Sequence, residues 1–276
     1  MSRMGTLYIP NDTFFHRLDG SIKLLLFLVW TIVTFLFLDM RIFVWMLVLG
    51  IILITIAKIP FRAIRLIVWM MITFNLLNSV FILLITPAYG TELTGSATPV
   101  LQMGAIGTIY LETIHFVLTL SLKYLTLLPI TFIFIYTTHP SLFACSLNRI
   151  GVPYKIAYAL NIAFRYIPDI QTEIKHILHS QQARGMGFQT GEAPLLQRIR
   201  NVTSLVIPLI TSSLQRIEVV SNAMELRGFG KHPRRTWYHA TPLQAVDFVV
   251  AALSILALGA AIFLKVKLSL PLWYPF

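Results

Sequence analysis

Apolar residues run through this chain in long charge-free blocks, at 24–38, 42–57, 66–91, 93–111, 113–122, 124–148 and 248–264. A helix needs roughly 20 apolar residues to cross the hydrocarbon of a bilayer. The pattern predicts five crossings, at about 22–40, 42–59, 64–86, 106–137 and 244–265. The first two blocks are short, so their helices borrow polar flanks or sit tilted. The fourth crossing is too long for one span and too short for two with a turn, and Glu112, Lys123 and Pro129 interrupt it. A long, bent or tilted helix is expected there. Glu112 and Lys123 either line a polar pathway or snorkel to an interface, the interfacial placement being the commoner.

After residue 148 the pattern changes to a helical period on a polar background. Ile167, Ile170, Ile174, Ile177 and Gln181 step by three or four, predicting an amphipathic helix from about Pro168 that ends at Ala183-Arg184-Gly185. Leu214, Ile217, Val220 or Ser221, and Met224 step likewise after Pro208, and that helix ends at Leu226-Arg227-Gly228. A Gly suits the left-handed position that closes a helix, and an Arg in the last turn is favoured by the dipole. One such ending is an ordinary helix stop. Two of them, 43 residues apart, make Ala183, Arg184, Gly185, Leu226, Arg227 and Gly228 the candidate site. A guanidinium at a helix tip offers a rigid, permanently charged fork that suits a partner's carboxylate.

Composition supports the lipid reading. Of 276 residues, 57% are hydrophobic and only 12% charged, half the charged share of an ordinary water-soluble domain. The mean hydropathy is +0.76. The net charge of +11 would suit a nucleic-acid binder in water, but in a membrane chain it records loop orientation, so nucleic acid is not an expected partner. Arg3, Arg17 and Lys23 precede the first span, Lys58, Arg62 and Arg65 follow the second, and 87–105 has no Lys or Arg. The amino terminus is therefore expected inside. Arg41 argues weakly against this, and Lys265 and Lys267 flank the last span on the outer side. Trp273 and Tyr274 read as interfacial anchors. No cleavable signal peptide is expected, since a polar leader precedes the first apolar run.

Residues 149–239 hold 12 of the 22 basic residues and read as a cytoplasmic block between two membrane segments. The expected fold is all-α: about five transmembrane helices, with a membrane domain at 1–137, a cytoplasmic domain of two long amphipathic helices at 138–239, and a last membrane helix at 240–276. Catalytic chemistry is poorly represented. His115 stands alone in a span, His176 and His179 have no third ligand at suggestive spacing, and Cys145 is the single cysteine. No Walker phosphate loop is present. Asn201-Val202-Thr203 fits a glycosylation pattern but lies in the cytoplasmic block. Lys231, His232, Arg234 and Arg235 suit anionic headgroups better than a protein partner.

At these residues the chain resembles the transmembrane coupling subunit, or T component, of energy-coupling factor transporters, the CbiQ/EcfT-like family. The leader from Tyr8-Ile9-Pro10 through His16-Arg17-Leu18-Asp19 to Lys23 is similar to that family's opening pattern, with Gly20 where Pro is frequent. Thr137-Thr138-His139-Pro140, Leu147, Gly151-Val152-Pro153 and Phe164-Arg165-Tyr166-Ile167-Pro168 resemble the entrance to its coupling domain. The two Arg-Gly endings resemble the paired signatures closing its coupling helices, with Leu226 where a small residue is frequent. The resemblance implies a non-catalytic importer subunit in a prokaryotic plasma membrane, joining two ABC-type ATPases to a small substrate-binding S component for uptake of a vitamin, metal ion or other micronutrient. It implies no cofactor in this chain, ATP and Mg being bound by the ATPases, and it makes Arg184 and Arg227 the anchors. Two alternatives stand beside it: the permease subunit of another ABC importer, which would ordinarily use one short coupling helix, and a membrane-embedded enzyme, which would place ionisable residues on its spans.

Overall fold

Asp19 and Asp39 open the first two long helices in the same way. Each carboxylate accepts the backbone N–H two residues further on, from Ser21 and from Arg41, at 2.9 Å, satisfying one of the donors that a helix start leaves free. The computed structural model describes residues 8–103, 107–188, 194–232, 236–237 and 242–268. In it a single turn, α1 (Phe14–Arg17), leads into α2 (Gly20–Leu36) and α3 (Met40–Ala57). The chain continues through α4 (Phe61–Ile85), α5 (Tyr89–Thr94), the antiparallel hairpin β1 (Pro99–Met103) and β2 (Gly107–Tyr110), α6 (Leu111–Thr137) and α7 (Pro140–Arg149). Then come α8 (Tyr154–Ala183), α9 (Leu195–Leu226) and α10 (Ala245–Leu268). Arg3, Glu192, Arg234, Arg235, Trp273 and Tyr274 lie outside the described residues.

Among the described residues, 8–146 and 242–268 form one compact unit and 147–237 another. In the first, α3, α4, α6 and α10 are long and apolar enough to cross a membrane. The fifth apolar helix, α2, has 17 residues, about 25 Å of rise against about 30 Å of hydrocarbon. The all-α expectation therefore holds apart from the hairpin. The fourth crossing starts later than its apolar pattern suggests, because 107–110 is strand β2 and the helix begins at Leu111. Pro129 sits inside α6 without ending it. Glu112 does not snorkel. It is fully buried in the first turn of α6, where its carboxylate accepts the Thr98 N–H at 3.0 Å and hydroxyl at 2.7 Å, and where the helix dipole favours a negative charge. Lys123 lies over the Phe35 ring at 4.8 Å. His115 is buried.

The interior of this unit sets many hydroxyl and small side chains among its large apolar ones. Thr34, Thr119, Thr126 and Ser146 are essentially inaccessible, and each hydroxyl donates to a carbonyl of its own helix at 2.6 to 2.9 Å. Trp45, Trp69, Met70 and Ile85 instead face outward. Lipid is as apolar as those side chains, so helices gain by close backbone approach rather than by hiding bulk. Gly50 shows this best: a Cβ there would lie 2.6 Å from Pro129 Cβ and 3.6 Å from the Trp30 ring. The Trp30 indole then donates to the Thr126 carbonyl at 2.9 Å, tying α2 to α6 beside the proline.

One end of the unit is held together by the leader. The Ile9 N–H donates to the Tyr136 carbonyl at 3.0 Å, and the Asn11 amide donates to the Lys58 carbonyl at 3.3 Å. Phe15 and Leu18 pack with Ala57 and Ile133. The Lys23 ammonium, buried, donates to the Thr137 carbonyl at 2.7 Å, placing a cation on the last carbonyls of α6. The buried Asp247 carboxylate accepts the Gln244 N–H at 2.8 Å at the start of α10 and the Asp19 N–H at 3.0 Å at the start of α2. The starts of α2 and α10 and the end of α6 thus share one end with the leader.

His16 anchors that leader. Its Nε2 bonds the Ile9 carbonyl at 2.9 Å and its Nδ1 the Thr13 hydroxyl at 2.7 Å. A carbonyl can only accept, so Nε2 carries the proton. Burial, against the opposing Ile9 bond, holds the imidazole below its ordinary value of 6.5, and the Lys23 charge adds to the lowering.

Two outcomes follow from this packing. Gly50→Val should cost roughly 1–3 kcal/mol through overpacking against Pro129, seen as a lower thermal unfolding midpoint in detergent, whereas Gly259→Ala, with nothing within 4 Å of the added Cβ, should leave it unchanged or raised. Because folding lowers the His16 pKa, the unfolded leader takes up the proton first, so the stability this residue contributes is present above about pH 6.5 and declines as pH falls below it. Amide protection factors at 9–18, taken relative to the intrinsic exchange rate at each pH, should fall on acidification through that range, and His16→Gln should abolish the dependence.

Candidate functional site

Both candidate tips are built by the same backbone device. After α8, Arg184 sits at φ −85°, ψ 7° and Gly185 at φ +84°. The Gly185 N–H donates to Gln182 O at 2.9 Å and the Met186 N–H to Gln181 O at 3.2 Å. After α9, Arg227 sits at φ −84°, ψ 10° and Gly228 at φ +64°. There Gly228 N–H donates to Glu225 O at 2.8 Å and Phe229 N–H to Met224 O at 2.9 Å. These are paired six-to-one and five-to-two bonds, the Schellman ending, which satisfies carbonyls that a helix end leaves open. No atom lies within 4 Å of a Cβ built on either glycine. Positive φ, not space, therefore requires Gly at both places.

The device leaves each Arg as the last helical side chain before the chain reverses. Ala183, Arg184, Gly185, Leu226 and Arg227 are exposed, Leu226 at 89%, and Gly228 is half-buried. Glu225, beside the second tip, is exposed. After each reversal the chain folds onto the other helix. Gly187 O accepts the Asn201 amide at 2.8 Å, and the Ser204 hydroxyl meets Met186 Sδ at 3.6 Å. Phe229 packs on the Tyr154 and Tyr158 rings, with centroids at 5.6 and 4.8 Å.

These contacts make α8 and α9 antiparallel. The end of α8 lies by the start of α9, and the end of α9 by the start of α8. Glu173 and Arg216, which face each other across the pair, each lie 11 residues before an Arg tip, so at 1.5 Å per residue about 33 Å along the helices separates the two tips. Between the helices runs a groove of about 640 Å³ lined by Ile162, Tyr166, Ile170, Ile217, Val220 and Met224. The apolar stripes in the sequence are only partly spent on this contact: Leu214 and Ile217 remain about 60% exposed.

The periodicity of the sequence placed the helix ends correctly but not their starts. Pro168 and Pro208 stand inside α8 and α9, which begin at Tyr154 and Leu195. A proline reads as a boundary because it lacks an N–H, yet an exposed helix can keep it when only one ladder bond is lost. A second feature is not apparent from the helical periods: Glu173 on α8 meets Arg216 on α9 at 2.7 Å. The signal was present in the same 43-residue offset that relates the tips.

His176 and His179 are exposed, and His179 Nδ1 lies 3.2 Å from the Gln182 amide oxygen. Among the described residues no group of three His, Cys, Asp or Glu side chains is placed to hold a metal ion. Cys145 is buried. The Asn201 side chain is engaged with Gly187 O. Lys231 and His232 are exposed.

A family profile described as CbiQ, cobalt transport protein, matches residues 11–238. Several curated relatives carry the description "Energy-coupling factor transporter transmembrane protein EcfT". One from Leuconostoc gelidum subsp. gasicomitatum is 30% identical over 255 residues, covering 89% of this chain and 90% of that protein. Another from Lactococcus lactis subsp. cremoris is 29% identical and covers 95% and 97% of the two chains, and one from Bacillus subtilis is 25% identical over 93% and 95%. The profile match takes in the leader from Asn11 onward, both long helices and both Arg-Gly tips, and on that extent the chain belongs to the CbiQ cobalt transport protein family.

Proposed function

We infer that this chain is the transmembrane coupling component of an energy-coupling factor importer, a non-catalytic membrane subunit working with other components. The observation that carries this reading is the pair of Schellman-ended tips, each presenting one exposed Arg, at opposite ends of an antiparallel helix pair. Two separated, permanently positive tips suit two separate partner sites. Each Arg enters a groove on one of two ABC-type ATPases, where a carboxylate accepts its fork. ATP and Mg are bound by those ATPases, not by this chain. Closure of the ATPase pair moves the tips, and the membrane unit passes the motion to a small substrate-binding S component that releases its cargo inside. The cargo class is a vitamin, metal ion or other micronutrient.

The reading places the leader end of the membrane unit in the cytoplasm. Arg17, Lys58, Arg62 and Arg65 are exposed near that end, as the positive-inside rule requires. The end of α6 and the start of α10 lie at this same end of the membrane unit, as the Lys23 and Asp247 bonds indicate.

The decisive experiment is substitution at the tips. Removing one partner of a desolvated interfacial ion pair costs about 2–5 kcal/mol, an exposed pair only about 0–1 kcal/mol. Arg184→Ala and Arg227→Ala should leave membrane insertion intact, yet each should weaken co-purification of the ATPases and lower cargo uptake at least about tenfold. Glu225→Gln should change neither. Undiminished uptake in the double Arg variant would show that the tips are not the anchors.

A further inference from the structure

The 43-residue offset reaches beyond the tips. It carries Arg184-Gly185-Met186-Gly187 onto Arg227-Gly228-Phe229-Gly230, and it also carries Glu173 onto Arg216 and Asp169 onto Ser212. In an antiparallel pair, equivalent positions meet only where the local two-fold axis passes. Glu173 and Arg216 do meet, with Arg216 Nη2 2.7 Å from Glu173 Oε2. The flanking contacts are images of one another: Ser212 donates to Glu173, and Arg216 Nη1 stands 3.9 Å from Asp169 Oδ2. The Tyr166 ring lies 5.5 Å from the guanidinium. The two side chains are 19% and 34% exposed, while Ile167, Ile174, Leu214 and Ile217 around the crossing stay open to the outside. The joint is therefore polar and lies 11 residues before each Arg tip.

We propose that Glu173 and Arg216, braced by Ser212 and Asp169, are positioning residues that clasp α8 to α9 at their local two-fold axis and hold both Arg tips at one separation. This rests on the reading of the tips as coupling points. A carboxylate that accepts from both a hydroxyl and a guanidinium, and a guanidinium that faces two carboxylates, resist sliding and rotation better than apolar contact does. With the axis midway between the tips, a displacement at one Arg is passed to the other with little loss. Without the clasp, each helix follows its own partner, and its proline gives it a place to bend.

The test uses the full chain in lipid nanodiscs, in a Cys145→Ser background, with spin labels at Gln182→Cys and Glu225→Cys beside the two tips. Pulsed electron resonance should give a narrow tip-to-tip distance distribution. Arg216→Met and Glu173→Gln should each widen it about twofold or more. Arg216→Lys, whose ammonium still reaches Glu173, should stay close to the parent width. A label pair at Lys155→Cys and His179→Cys within α8 should remain narrow in every variant, which separates loss of the clasp from unfolding. In the assembled importer, Arg216→Met should lower cargo uptake at least about fivefold while ATP hydrolysis continues, and Arg216→Lys should restore uptake. An unchanged tip-to-tip width in Arg216→Met, or parent-level uptake despite a widened distribution, overturns the proposal. The distance measurement needs no ATPase, so its failure is distinguishable from failure of the coupling role, which the Arg184 and Arg227 variants test.

Discussion

A helix end leaves four carbonyls or four N–H groups without intrahelical partners, and each must find one elsewhere. Much of this structure follows from how those ends are closed. The Lys23 ammonium occupies the end of α6. Asp247 serves the start of α10 and the start of α2 with one carboxylate. Glycine at positive φ closes α8 and α9. Each solution also does something beyond satisfying the backbone. The first two gather three helix termini and the leader at one end of the membrane unit, and the third turns an ordinary helix stop into a tip that displays Arg.

The two units hold themselves together by different physics. In the membrane unit, bulk apolar side chains face out and gain nothing by being hidden from lipid, so cohesion comes from Gly50 against Pro129, from self-satisfied threonines, and from an indole bond across helices. In the unit of α8 and α9, the apolar stripes meet only partly, and the crossing is secured by an ion pair with a hydroxyl and a second carboxylate around it. A part held by directional contacts keeps its geometry while it moves as a body. The coupling role proposed for this pair asks it to transmit displacement, and that is the property such a role needs.

Length and apolarity determine whether a segment suits lipid, and both are local sums over neighbouring residues, so α3, α4, α6 and α10 were legible in the sequence. The two tips were legible for the same reason: Arg followed by Gly at the end of a helical period is a short-range signal with a short-range cause. The starts of α8 and α9 were not, because Pro168 and Pro208 signal a break that neighbouring turns absorbed. Strand β2 was hidden within an apolar run that periodicity alone assigns to the fourth span.

The lipid-facing helices and the two Arg-Gly endings could be read from the chain alone, since each is set by residues within a few turns of one another, and the basic bias of one set of loops by a simple count of charges. Only the tertiary structure decided that Lys23 ends on α6, that Glu112 is buried against Thr98, and that Glu173 faces Arg216. Those pairings join residues between 14 and 114 positions apart, and which of many charged side chains meet across such distances depends on helix direction and register, which no local window contains.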